Sequence, residues 1–180
     1  IKYLKYSICS FQRFIILFFL VELKIFPKGY FKYFTKMYSI NLPDSIEYLP
    51  DSLFEGYANL TEINFPKNLK TIGNNCFKGC LYLDEINIPD TVSFIGSNAF
   101  DNCRELEYIT LPSSIQSLST NMFSNCILLE EITLPKSIDT INKDVFKGCQ
   151  MLKKVNFCKI PSYLHDTTIK QLTGKIVLIH

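Results

Sequence analysis

Apolar residues recur along positions 37–157 at a constant step of 23. Ile40, Ile63, Ile86, Ile109, Ile132 and Val155 form one column, and Leu42, Phe65, Ile88, Leu111, Leu134 and Phe157 follow two residues later. Such apolar-x-apolar alternation reads as a short strand with one buried face. Pro43, Pro66, Pro89, Pro112 and Pro135 then end that strand, since proline has no N–H to give to a ladder. Each unit continues with an apolar residue and an Ile or Leu three residues on, a segment that predicts a second short strand or turn. Gly73 after Ile72 and Gly96 after Ile95 supply the bend that follows, while Ser119 and Asn142 stand there in the next two units, so that bend must tolerate a side chain. The three-to-four spacing from Cys76-Phe77 through Cys80 to Leu83 predicts a short helix or 3₁₀ turn before the next unit begins.

One unit of this size cannot bury its apolar face alone, so the units must stack. Phe54, Phe77, Phe100, Phe123 and Phe146 keep the same step and are expected to pile into an interior spine. Cys80, Cys103, Cys126 and Cys149 form another column, with Tyr57 in their place in the first unit. Neighbouring strands lie ~4.8 Å apart, which brings adjacent cysteines within the range a disulfide permits. A column of small buried thiols in a tapering core is the other reading, and it agrees with how often free cysteine is buried. The chain has no Cys-x-x-Cys, and Cys76 with Cys80 has no histidine at metal spacing, so zinc is not expected.

The segments LTEINFPKNLKTIGNNCFKGC (60–80) and LDEINIPDTVSFIGSNAFDNC (83–103) resemble leucine-rich repeats of the BspA type, and the resemblance extends over about 37–157 with five complete repeats. It implies a leucine-rich-repeat solenoid of the α/β class. One short strand per repeat would build a parallel sheet, accompanied by a second short strand or turn and a short helix or 3₁₀ turn. It also implies a surface or secreted adhesin, although fold analogy alone does not fix function.

Composition narrows the choice further. The 180 residues are 47% apolar with a net charge of +2, which excludes a disordered chain and offers no basic excess for nucleic acid. Two histidines, His165 and His180, leave little for histidine catalysis. No G-x-S-x-G, phosphate-binding loop or dinucleotide fingerprint occurs, so neither an enzyme, a cofactor nor a small-molecule substrate is expected. The near-neutral total hides an asymmetry: residues 1–36 carry seven basic side chains against Glu22 alone, a net +6, which leaves −4 for the remainder.

That first segment admits three readings. Phe14 to Val21 is an eight-residue apolar run after Arg13, too short to span a membrane but long enough for a signal-peptide core, and no alanine precedes Ala58 to supply a cleavage site. Stepping back 23 residues places Leu17, Phe19, Leu23, Phe26, Tyr30, Phe31, Phe34 and Met37 on apolar columns and Pro27 on Pro50, as a degenerate cap repeat would. The third reading is sequence translated out of context. Any membrane association is expected through 1–36 only. At the other end the register breaks where Cys158 replaces proline, and 158–180, with KIVLI at 175–179 as a closing strand, is expected to cap the array.

Side chains flanking the buried Ile of each strand point outward. One such column runs Ser39, Glu62, Glu85, Tyr108, Glu131 and Lys154; the one before it runs Tyr38, Thr61, Asp84, Glu107, Glu130 and Lys153. The candidate binding residues are therefore Glu62, Asp84, Glu85, Glu107, Tyr108, Glu130 and Glu131, and the partner expected is a protein ligand with a basic surface. The competing reading is a solvated face kept soluble by charge. Five strand spacings and four residues per strand give about 24 Å and on the order of 300 Å², below the ~800 Å² per partner of a standard interface. The function expected is a non-enzymatic interaction or adhesion module at the cell surface or secreted, with an intracellular scaffold as the alternative. The Asn59-Leu60-Thr61 glycosylation sequon is too short to decide between them.

Overall fold

The computed structural model describes residues 38–157 and the strand Ile176–Leu178. The chain winds as a stack of 23-residue coils, each contributing one strand to a first parallel face and a two-residue strand to a second. The first face comprises β1 (Ser39–Asn41), β3 (Glu62–Asn64), β5 (Glu85–Asn87), β7 (Tyr108–Thr110), β9 (Glu131–Leu134), β11 (Lys154–Phe157) and β12 (Ile176–Leu178). The second comprises β2 (Tyr48–Leu49), β4 (Thr71–Ile72), β6 (Phe94–Ile95), β8 (Ser117–Leu118) and β10 (Thr140–Ile141). Every pairing from β1 to β11 is parallel and keeps the sequence step, as in Ser39 with Glu62, Glu85 with Tyr108 and Lys154 with Glu131. Strand β12 extends the first face beside β11, pairing Ile176 with Val155.

Proline closes each strand and opens a turn. The carbonyl of Pro43 accepts the amide of Ile46 at 3.0 Å, and Pro66, Pro89, Pro112 and Pro135 repeat this with Leu69, Val92, Ile115 and Ile138. The buried Ile, Leu or Val of that turn then anchors the second strand.

The expected solenoid of parallel strands is present, and the segment from Cys76 to Leu83, expected as a short helix or 3₁₀ turn, is a train of turns, with no helix among the described residues to support the α/β class. Two backbone positions per coil explain this. Ser52, Asn75, Asn98, Asn121 and Asp144 have positive φ, as do Gly56, Gly79, Asn102, Asn125 and Gly148 four residues later. Left-handed residues at that spacing break any helix before it completes a turn. The amides between them alternate: those of Asn75, Phe77 and Gly79 donate to Ser97, Ala99 and Asp101 of the next coil, while those of Lys78 and Cys80 donate back to Asn75 and Phe77. A helix would keep all of these bonds within one coil, whereas this arc of turns, 75–80, uses three of the five to join coils.

The core runs the length of the stack. Successive rings of Phe54, Phe77, Phe100 and Phe123 lie 5.3, 5.4 and 5.7 Å apart and near-parallel, with Phe146 a further 6.0 Å on. The first four are fully buried, and Phe146, at the end of the column, is half-buried. Cys80, Cys103, Cys126 and Cys149 are free buried thiols whose Sγ each donates to the carbonyl of Phe54, Phe77, Phe100 or Phe123, at 3.0–3.3 Å. Tyr57 occupies the first place in this column, its ring edge-on to Phe54 at 5.9 Å. Burial pushes the Cys76, Cys80, Cys103 and Cys126 thiols well above their ordinary range, which keeps them protonated.

Candidate functional site

The exposed side of the first face displays the candidate residues as parallel columns. Glu62, Asp84, Glu85, Glu107, Tyr108, Glu130 and Glu131 all face solvent, while Ile63, Ile86, Ile109 and Ile132, next along each strand, are buried. Proline fixes where each strand stops, and the ladder pairs β1 with β3, β5 with β7 and β9 with β11, which sets Glu85 beside Tyr108 and Glu131 beside Lys154.

Their environments differ along the stack. Lys153 reaches Glu130 at 2.8 Å and Lys154 reaches Glu131 at 3.7 Å, so the last coil partly neutralises the acidic columns. Glu131 also accepts from the Asn156 amide at 2.6 Å, and Asn156 is itself buried. At the other end Glu62 accepts from Asn64, whose amide also bonds Asn41. Asp84 turns one oxygen to the Glu85 amide at 2.7 Å. The centre is left with Asp84, Glu85 and Glu107, which have no ion-pair partner among the described residues, grouped around Tyr108. Tyr108 pairs in register with Glu85 and is 66% exposed, the most exposed large apolar side chain described.

Sequence reasoning missed two sets of residues around this face. The first joins coils through polar side chains: Asp44 accepts the Lys67 amide, Asp90 the Ser113 amide, Asp51 the Asn74 amide, and Asn74 the Ser97 amide, at 2.7–3.0 Å. Their spacing of 23 was the available signal. The second is an apolar margin just before the strands, where Tyr82 and Met151 are exposed. No group of three or more His, Cys, Asp or Glu among the described residues is placed to hold a metal ion, and no helix among them is long and apolar enough to cross a membrane.

The model of the BspA type leucine rich repeat region matches residues 4–84 and 51–173, in six copies. The chain belongs to this family. Its BspA-type coils are similar to those of solved leucine-rich repeat proteins. The T. pallidum protein TpLRR is 29% identical, with a TM-score of 0.64 over 66% of this chain and 58% of its own. The pneumococcal vaccine antigen PcpA is 32% identical, with a TM-score of 0.62 over 67% of this chain and 30% of its own. A leucine-rich repeat protein from Bacteroides ovatus is 29% identical, with a TM-score of 0.58 over 75% of this chain and 40% of its own. The BspA-type chain thus spans less than two thirds of the length of each of these structures. No curated protein matches it.

Proposed function

We propose that this chain is a non-enzymatic protein-interaction module whose first strand face takes a basic protein partner, and that it works at the cell surface. The observation that carries this reading is the exposed, unneutralised group of Asp84, Glu85 and Glu107 around Tyr108. Carboxylates spaced by strands form a fixed negative surface, which steers a positive partner and sets its register. An exposed tyrosine among them adds apolar area and a ring face that attracts a cation. Membership of a repeat family supports an interaction role, and likeness to a pneumococcal vaccine antigen supports the cell surface. Residues 37–157 are read as the repeat body between an N-terminal segment, 1–36, and a C-terminal cap, 158–180. The family match from residue 4 supports a further degenerate repeat within 1–36.

Five buried free thiols favour a second reading, an intracellular scaffold using the same face, since free thiols accord with a reducing compartment. Protease treatment of intact source cells separates the two: loss of the chain supports the surface, and complete protection overturns it. For the binding face, reversing Glu85, Glu107 and Glu131 to Lys should weaken association with oligolysine and flatten its dependence on salt. Unchanged association would leave the face a solvated one.

A further inference from the structure

The acidic face is bordered on one side by apolar surface. Immediately before each strand the chain passes two outward positions: Leu81-Tyr82, Arg104-Glu105, Ile127-Leu128 and Gln150-Met151. Backbone bonds stack them coil on coil, Glu105 donating to Leu81 at 3.0 Å, Leu128 to Arg104 at 3.1 Å and Met151 to Ile127 at 3.1 Å. Tyr82 and Met151 are 53% and 41% exposed, and Leu81, Ile127 and Leu128 are half-buried. Two other outward columns are polar, Asp44, Lys67, Asp90, Ser113 and Lys136 forming one and Asp51, Asn74, Ser97, Thr120 and Lys143 another, whereas the second strands expose Tyr48 and Phe94 among Thr71, Ser117 and Thr140. Tyr82 and Met151 therefore place apolar exposure beside the acidic columns, with Tyr108 between them, while Phe94 and Tyr48 are exposed separately on the second face.

We infer that the partner of this face is a cationic amphipathic helix lying along the array axis, its basic side on Asp84, Glu85 and Glu107 and its apolar side on Tyr82, Leu128 and Met151. This rests on the reading of the strand face as a site for a basic partner, and adds the partner's shape and its apolar half. Three physical matches carry it. The acidic and apolar rows run in parallel two to three residues apart, roughly 7–10 Å at strand rise, within the 10–12 Å breadth of a helix with its side chains. Coils repeat every ~4.8 Å and helix turns every 5.4 Å, so each turn meets about one coil over this length. Widening the footprint from four positions per strand to seven raises it from on the order of 300 Å² to about 550 Å², much nearer the ~800 Å² of a standard interface.

The test titrates the full chain with three synthetic peptides of equal charge: a Lys/Leu peptide patterned as an amphipathic helix, the same composition scrambled, and oligolysine. The patterned peptide should bind about tenfold tighter than the other two. Combining Tyr82→Ser with Met151→Ser should abolish that preference while leaving the salt dependence intact. Combining Glu85→Lys with Glu107→Lys should weaken all three and flatten the salt dependence. Equal binding of the three peptides, or a preference that survives the Tyr82 and Met151 changes, overturns the helix inference alone. Failure of every peptide to bind in a salt-dependent way overturns the underlying reading as well.

Discussion

The two sides of each coil obey different rules. On the arc, Phe54, Phe77, Phe100, Phe123 and Phe146 do not vary, and the thiol column is broken only by Tyr57. On the strand face one outward column runs through Ser, Glu, Tyr and Lys. The arc touches its neighbours through buried rings, Sγ–H donors and coil-to-coil amides, so each residue there meets its own copy and must fit it. An outward strand residue meets mainly water, and its identity is open. The contrast locates stability on one side of the coil and leaves the other side to the proposed recognition.

The corner after the second strand refines this contrast, because the arc tolerates change where a polar side chain makes a new bond to the neighbouring coil. A Cβ on Gly73 would lie 2.6 Å from the Asp51 amide nitrogen, and one on Gly96 equally close to that of Asn74, so these coils meet backbone to backbone. In the next two coils Ser119 Oγ donates to the Ile95 carbonyl, and Asn142 Nδ2 to that of Leu118 at 2.9 Å. A polar side chain there reaches the same carbonyl column that the glycine amides use, as Gly96 does with Ile72 at 2.8 Å.

Breaking the spine should have the largest effect. Phe100→Ala removes a fully buried ring with stacked neighbours on both sides and should cost ~3–5 kcal/mol in denaturant unfolding. Phe146→Ala, at the half-buried end of the column, should cost clearly less; equal losses would argue against a spine that strengthens toward its middle. Gly96→Ala comes next, at about 1–3 kcal/mol, because the neighbouring backbone must move. Ser119→Gly, which restores the other solution at that corner, should cost less than Gly96→Ala in the same measurement.

Smaller still is the response of the thiols to pH. Burial raises Cys76, Cys80, Cys103 and Cys126 above an ordinary value of 9.0, so the unfolded chain releases these protons first as pH rises. Their contribution to stability is complete below about pH 9 and is lost progressively above it, as the unfolded chain releases protons that the folded chain holds. Unfolding midpoints measured across that range should fall less steeply for Cys103→Ala than for the parent chain. A parallel fall in both would show that the Cys103 thiol plays no part.

The period, the strands, their proline stops and the phenylalanine spine were legible in the sequence because each rests on a repeated residue type. The arc was misread because Phe77, Cys80 and Leu83, three apart, mark a helix and a train of turns alike. Asn75, Asn98 and Asn121 were the correction in plain view, since asparagine is among the few side chains that accept the left-handed region. In the site, the acidic columns were legible by their step. Neutralisation of Glu130 and Glu131 by Lys153 and Lys154 depends on where flexible side chains settle. The apolar margin was obscured because Arg104, Glu105 and Gln150 interrupt it.

The separation of fold from recognition is tested most directly in one doubly reversed chain, Glu85→Lys with Glu107→Lys, by measuring its denaturant midpoint and its oligolysine association side by side. Its stability should stay within about 0.5 kcal/mol of the parent, while association weakens and loses its salt dependence. A midpoint lowered as far as that of Phe100→Ala, or association that stays as it was, would contradict the account.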